Sequence, residues 1–252
     1  MTLSFFILTF ILFLVIATLY SSVGHAGASG YLAVMALLSF APESIKPTSL
    51  ILNIVVACIA SINFINAGRF DRKIFISFII TALPMAFLGG YISISPKYFK
   101  LFAGFFLIVS AIMLVIREYI KTPTTSTKTM SLHWGLSIGA IIGLLSGLIG
   151  VGGGIFLSPI IIMANWTTVK NTSGVAALFI LLNSLAALAG HITALHKIDY
   201  NNFFYWIIAV LIGGLIGSYL GTMKFNNKII ITCLFFVLLT AGLKFIFVDF
   251  AK

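Results

Sequence analysis

Charged residues are so sparse in this chain that long apolar runs alternate with short polar turns. Eight runs contain no Asp, Glu, Lys or Arg, and most are near the ~20 residues that a membrane-spanning helix needs, or about twice that. The runs cover residues 1–42, 47–68, 74–96, 101–116, 129–169, 171–196, 200–223 and 229–243. The first run has neither a cationic start nor a small-residue cleavage site, so we expect a retained segment rather than a signal peptide.

Two of the predicted segments are too short to cross a bilayer. The apolar runs at residues 31–40 and 155–164 would reach only about half of its thickness, at ~1.5 Å per helical residue. The pattern predicts an all-α polytopic membrane protein with two repeats of about five segments each, four spanning helices plus a short broken or re-entrant helix. The first repeat covers residues 1–116, a cytoplasmic linker covers 117–130, and the second repeat covers 131–252.

The two halves share four paired sequence landmarks in the same order. Corresponding interrupted segments of this kind point to the binding site of a transporter. The pairs are Gly24-x-x-Gly27 with Gly150-x-x-Gly153, Lys46-x-Thr48-Ser49 with Lys170-x-Thr172-Ser173, Arg69-Phe70-Asp71 with Lys197-Ile198-Asp199, and Gly89-x-Tyr91 with Gly217-x-Tyr219.

The relative orientation of the halves depends on whether the short runs cross the membrane. Five crossings per half invert the second half, whereas re-entrant short runs leave four crossings and parallel repeats. In either scheme one side of the membrane carries nine of the lysines and arginines and the other side carries six. The linker lies on the inside in both schemes. The first-half turn carries Arg69, Arg72 and Lys73, but its counterpart carries only Lys197. This difference favours matching loops on opposite faces, so we expect inverted halves.

Composition and charge support a membrane protein. The chain is 61% hydrophobic and 8% charged, with a mean hydropathy of +1.18, whereas a soluble domain is about 45–50% apolar and 25% charged. The net charge of +10 lies in loops and ends, which is typical of topology signals and contacts with lipid headgroups rather than nucleic-acid binding. Cys58 and Cys233 indicate neither a disulfide framework nor a metal site. We expect a multi-pass protein of the cell inner (plasma) membrane, monomeric or homodimeric.

A glycine cluster interrupts the apolar sequence of the second half. It contains Gly150, Gly152, Gly153 and Gly154, with Pro159 five residues further on. Glycine lets the backbone turn and expose its N–H groups, and irregular backbone at bilayer depth occurs where protein or a water-filled cavity shelters it. The cluster therefore predicts a binding site, although the same glycines could serve close helix packing.

The matching stretch of the first half contains Gly24, His25, Gly27 and Ser29. His25 is a titratable group in a run without charged residues, and it could donate to an anion or carry a coupling proton. The alternative is a histidine that hydrogen-bonds to nearby backbone.

The charge pattern favours an anion as the substrate. The five acidic residues lie at loops or ends, so the midplane carboxylate that a cation carrier normally uses is missing. We do not expect a Lys or Arg at the midplane either, since only Lys244 lies within an apolar segment and it is near the end of that segment. Anion binding would rest on backbone N–H groups at half-helix N-termini, where the helix dipole is positive.

Polar residues within or beside apolar segments complete the candidate site. They are Thr48, Ser49, Asn53, Thr172, Ser173 and Asn183. Each Thr-Ser pair opens its segment, which suits a helix N-cap as well as substrate contact. The asparagines could equally form interhelical hydrogen bonds.

The run from Gly150 to Gly154, with Pro159 and then Lys170-x-Thr172-Ser173, resembles the TauE/SafE sulfite-exporter family, whose members carry this motif in both repeats. The resemblance implies a secondary transporter of small sulfur-containing anions, with its site between the repeats. The first-half motif departs from that pattern, because it has alanines at positions 26 and 28 and Ala33 where the second half has Pro159.

The expected function is transport of sulfite, thiosulfate or an organosulfonate by alternating access, as export. The alternative is a channel or carrier for another small anion or metabolite, such as a carboxylate. A nucleophile paired with a base and a metal-spaced cluster are both missing from the sequence, so an enzyme is not expected, nor is a cofactor. The expected partners are the anion and membrane lipids.

Overall fold

The chain folds into helices throughout the residues that the computed structural model describes, which are 3–22, 25–119, 128–192, 200–220 and 227–249. A π-helical turn, Lys244–Asp249, continues the last helix. The helices are α1 (Leu3–Ser22), α2 (Ala28–Leu37), α3 (Pro42–Asn66), α4 (Arg72–Tyr91), α5 (Pro96–Tyr119), α6 (Leu132–Ile149), α7 (Gly154–Met163), α8 (Val169–Gly190), α9 (Tyr200–Leu220) and α10 (Asn227–Leu243).

Eight of these helices are long and apolar enough to span a membrane. Within the described residues, α2 and α7 are the two shorter apolar helices, with ten residues each. The prediction of four spanning helices and one short helix per half is therefore confirmed. α5 continues to Tyr119, into the region predicted as linker.

Thr48 and Thr172 do not cap their helices. α3 begins at Pro42, whose fixed φ suits the first helical position, so Thr48 lies in the second turn. α8 is capped by Thr168, whose side chain accepts a hydrogen bond from Asn171 N at 3.2 Å. The N-cap interpretation of the two Thr-Ser pairs is therefore wrong, because the helix-start signals stand several residues earlier.

The first helix of each half packs against the fourth helix of the other. α6 lies against α4, and α1 lies against α9. A Cβ added at Gly147 would lie 2.2 Å from Ala86 O, and one at Gly217 would lie 2.2 Å from Thr18 O. These backbones therefore touch directly, as small residues permit in membrane bundles. Two pairs of equivalent helices also meet, since α3 packs on α8 and α5 on α10.

The bundle has two distinguishable ends. α6 runs parallel to α4, because Gly135 lies against Ser77 and Gly147 against Ala86. We call the end at which α4 and α6 begin the linker end, and the opposite one the far end.

α3 and α1 both begin at the far end. Lys46, near the start of α3, donates to Gly89 O and Gly90 O at the end of α4. Phe40, just before α3, stacks on Phe5 of α1 with ring centroids 5.9 Å apart. The start of α1 therefore lies beside the start of α3.

Each short helix ends on the side of the bundle where the helix before it begins. α2 ends three residues before Phe40 and thus at the far end. α7 ends at the linker end, where Asn165 O accepts from Lys128 N at 2.8 Å. Nine of the ten residues of α2 and seven of the ten residues of α7 are buried. The short helices and the turns before them therefore lie inside the bundle.

Candidate functional site

Two glycine turns reverse the chain inside the bundle. The first glycine turn, residues 25–27, ends at Gly27 (φ +100°), and the second, residues 150–153, contains Gly150 (φ +87°), Gly152 (φ +75°) and Gly153 (φ +81°). These left-handed conformations strain any residue with a Cβ. The prediction that the glycines let the backbone turn here is therefore confirmed for the described residues. Gly24 lies outside them, as do residues 197–199 of the third landmark pair.

Ser49 lies between the two turns. Its Oγ is 3.0 Å from Ala28 O, directly after the first turn, and 3.1 Å from Gly150 O in the second. A hydroxyl has a single proton to donate, so it serves one carbonyl at a time. The two motifs that the sequence separates by more than a hundred residues thus meet at one side chain of α3.

Asn53, one turn further along α3, contacts both halves. Its Oδ1 accepts from Ala28 N at 3.1 Å, and its Nδ2 donates to Ser184 Oγ of α8 at 2.9 Å. A Cβ added at Gly152 would lie 2.4 Å from Asn53 Nδ2 and 2.8 Å from Ser184 Oγ. Glycine at position 152 therefore allows the second turn to lie directly on this pair.

Asn183 holds the second turn from the other side. Its Nδ2 donates to Gly152 O at 3.2 Å and also to Ser146 Oγ. Where α6 ends, the backbone carbonyl oxygen of Ser146 accepts the Gly150 N–H at 2.7 Å. We call Ser49, Asn53, Ser146, Asn183 and Ser184 the polar cluster, and all of its side chains are buried.

His25 and Ser29 belong to the first turn and its helix. His25 is buried, with 3% of its surface exposed, and its backbone N–H donates to Tyr20 O at 2.9 Å. Ser29 Oγ is hydrogen-bonded to Tyr20 OH at 2.7 Å, and Tyr31 OH donates to Ala26 O at 2.9 Å. The two tyrosines therefore hold the turn that carries His25.

Several predicted site residues are not members of the polar cluster. Thr172 Oγ1 donates to Thr168 O at 2.9 Å in the first turn of α8. Ser173 precedes Ser184 by eleven residues, about 16 Å along the helix. Thr48 is buried beside Ser49. Gly154 and Pro159 belong to α7, where an added Cβ at Gly154 would lie 2.3 Å from Ile180.

Lys46 is a buried cation that the apolar pattern placed in a loop. It is 5% exposed, and its Nζ donates to Gly89 O and Gly90 O, both at 3.2 Å. A positive charge at the C-terminus of α4 is favourable, since the helix dipole is negative there. The expectation that no lysine lies within a membrane segment beside the site is therefore wrong. α3 begins at Pro42, five residues before the uncharged run that starts at residue 47, and so includes Lys46.

A cavity of about 410 Å³ extends from the first turn toward the linker end. Val56 on its wall lies one helical turn beyond Asn53, so the inner end of the cavity adjoins the polar cluster. Arg69, at the linker end, and His25 both contribute to its surface. The lining residues are Ser21, Ser22, His25, Val56, Ile59, Ala60, Asn63, Phe64, Ala67, Arg69, Gly214 and Ser218, and none of these is acidic.

The arrangement of two glycine turns facing each other across α3 and α8 can be compared with known families. The family described as "Sulfite exporter TauE/SafE" matches residues 9–245. The chain belongs to the sulfite exporter TauE/SafE family. This confirms the resemblance carried by the motif of the second turn.

Two relatives support the assignment to the TauE/SafE family. The chain is 39% identical over 237 residues to a probable membrane transporter protein of Sinorhizobium fredii, covering 93% of this chain and 95% of the relative. It is 28% identical over 159 residues to a probable membrane transporter protein of Methanocaldococcus jannaschii, covering 61% and 58%. No solved structure matches the chain.

Membership of the TauE/SafE family establishes the coarse function. The family consists of membrane transporters and not enzymes. Together with the eight apolar helices, it makes this chain a multi-pass membrane protein of a transporter family.

Proposed function

We propose that this protein is a secondary transporter that exports small sulfur-containing anions, such as sulfite, thiosulfate or an organosulfonate, by alternating access. The observation that carries the proposal is the meeting of the two glycine turns at the polar cluster, with the cavity leading to it from one end. Transporters of this general design bind substrate near the midplane, where broken helices from two repeats meet.

The two halves are inverted with respect to each other in this proposal. The support lies in the helix directions: the α1–α2 pair starts from and returns to the far end, and the α6–α7 pair does the same at the linker end. Each half then has five passes, an odd number. The helix contacts also fit a two-repeat relation. If each helix is replaced by its equivalent in the other half, the contact between α4 and α6 becomes the contact between α9 and α1, and both contacts are present.

The linker end faces the cytoplasm in this proposal. Nine of the fifteen lysines and arginines lie at that end by their place in the chain, either in a connection between two helices or in the terminal turn of a helix beside it, and six fall elsewhere. Cytoplasmic loops carry the excess of positive charge. The cavity then opens toward the cytoplasm of the cell inner membrane, as an exporter requires for loading.

The substrate oxyanion binds to N–H groups and hydroxyls around the two turns. We assign this role to Gly27, Gly152, Gly153, Ser49 and Asn53. Ala28 N–H currently donates to Asn53 Oδ1, and a substrate oxygen would replace that acceptor at the positive N-terminus of α2. An amide oxygen is a weaker acceptor than an anionic one, so the exchange favours the anion.

Proton coupling is assigned to His25 or to protonation of the anion itself. Histidine changes charge near neutral pH, and His25 is the titratable residue where the cavity meets the first turn. A proton carried with the anion would lower the net charge that crosses the membrane.

The test is flux of radiolabelled sulfite, thiosulfate, sulfoacetate and acetate through purified protein in liposomes, with and without a pH gradient. We expect saturable flux of at least one sulfur anion, competed by the others. Acetate flux that sulfur anions do not inhibit would instead indicate the carboxylate carrier. Flux that ignores the pH gradient would contradict the proton coupling but not the transport.

A further inference from the structure

Arg69 is held at the mouth of the cavity by its backbone. It follows the end of α3, where Gly68 adopts φ +66° and Arg69 N donates to Phe64 O at 2.9 Å. On the other side, Arg69 O lies against Gly174 of α8, where an added Cβ would be 1.8 Å away. The backbone is therefore anchored between α3 and α8, while the residue lines the cavity and is exposed.

The nearest carboxylate in the sequence, Asp71, is already bound to other groups. Its Oδ1 accepts from Ile74 N at 3.1 Å and caps α4, and its Oδ2 accepts from Thr167 Oγ1 at 3.0 Å. Both oxygens thus have donors on the side of α4 and α8. Among the described residues, Arg69 forms no ion pair with Asp71, so its guanidinium can take an anion from solution.

The cavity wall below Arg69 leads along one face of α3. Asn63, Ile59 and Val56 follow each other at spacings of three or four residues, which place them on the same helix face. Continuing the face by one turn reaches Asn53 of the polar cluster. From Asn63 to Asn53 the path is about 15 Å, at ~1.5 Å per residue.

The opposite wall supplies hydrogen-bond donors. Ser21 and Ser218 offer hydroxyls, whereas the Ser22 hydroxyl donates to Leu19 O at 2.7 Å, and His25 lies where the cavity meets the first turn. A cavity with a permanent cation at its mouth, donors along its wall and no acidic lining residue concentrates anions, because low-dielectric walls focus the field of the charge.

We propose that Arg69 is an anion-binding residue at the mouth of the cavity, which captures an oxyanion before it moves along α3 to the glycine turns. The inference rests on the proposed function, since it takes this cavity to be the path of the substrate. Guanidinium is always charged and binds two oxygens of one oxyanion through its planar pair of N–H groups. Lysine would supply the charge without that fork.

The experiment compares Arg69→Gln and Arg69→Lys with a matched control, Arg72→Gln. Arg72 is exposed at the start of α4, three residues further on, and does not line the cavity. Thiosulfate flux is measured in inside-out and right-side-out vesicles, and each variant is checked for an unchanged melting temperature.

Arg69→Gln is expected to raise KM about tenfold from the linker end, as loss of a charge-assisted pair would, with kcat nearly unchanged and a weaker salt dependence. Arg69→Lys should recover part of the affinity, and Arg72→Gln should behave as wild type. Equal shifts in the Arg69→Gln and Arg72→Gln variants, or no shift in either, would overturn the proposal.

Failure of this inference can be told apart from failure of the proposed function. Sulfur-anion flux with an unaltered KM in Arg69→Gln rejects the role of Arg69 and keeps the transporter. If acetate is the transported anion, the same comparison is made with acetate, and a raised KM keeps the role of Arg69. Wild-type protein that neither moves nor binds any of these anions, by flux and calorimetry, overturns both.

Discussion

Asn53 Nδ2 donates a hydrogen bond to Ser184 Oγ at 2.9 Å, across 131 positions of sequence. The bond joins α3 of the first half to α8 of the second, and the same asparagine accepts the N–H that begins α2. One side chain therefore connects the first glycine turn to the opposite half. A movement that separates α3 from α8 must break this bond or carry both residues together.

Asn53→Ala should destabilise the protein and lower flux. It removes the acceptor of Ala28 N–H and the donor to Ser184 Oγ, and each buried polar group left without a partner costs about 1–3 kcal/mol. Ser184→Ala removes only one of these bonds and should cost less. Thermal unfolding in detergent measures both, and equal losses in the two variants would contradict the central role of Asn53.

Gly152→Ala should abolish transport. The added methyl would lie 2.4 Å from Asn53 Nδ2 at φ +75°, so both steric overlap and backbone strain act, and overpacking alone costs about 1–3 kcal/mol. Gly68→Ala is the matched control, because Gly68 has φ +66° but no atom within 4 Å of an added Cβ. Flux in liposomes at saturating substrate, where a displaced Arg69 beside Gly68 has little effect, should survive at position 68 and fail at 152. Loss of flux in both variants would show that backbone strain, and not contact with the cluster, decides, and normal flux in both would contradict the prediction.

Lys46→Met should lower thermal stability, whereas Lys170→Met should not. Lys46 donates to two carbonyls at the end of α4, and leaving buried carbonyls without their donor costs about 1–3 kcal/mol. Lys170 holds the matching position in the landmark of the second half but is exposed. The melting temperatures of the two variants test this prediction. An unchanged melting temperature for Lys46→Met would mean that the hydrogen bonds of Lys46 contribute little to the stability of the protein.

His25→Gln should uncouple flux from the pH gradient. Glutamine keeps hydrogen-bonding capacity but cannot gain a proton, so thiosulfate flux would continue without responding to an imposed gradient. His133→Gln is the control, since His133 is exposed at the start of α6. A gradient response that persists in His25→Gln would assign the proton to the anion or to another group.

The helices themselves were predictable because the membrane imposes a simple rule on the sequence. A spanning segment must be apolar over about 20 residues, and the eight long helices follow the uncharged runs closely. Helix ends were less predictable, because a polar side chain can enter a helix once the fold provides partners. Lys46 shows this, since only the carbonyls of Gly89 and Gly90 make its burial favourable.

The sequence by itself determined the helical membrane architecture, the repeat and the two glycine turns, since each depends on local backbone or on the contrast between lipid and water. Tertiary structure alone decided that Ser49 and Asn53 join the turns, that Thr172 and Ser173 lie at the other end of α8, and that Arg69 lines the cavity. Such roles depend on contacts between residues far apart in the chain. The spacing of polar residues along one helix carries no information about which residue of another helix will meet them.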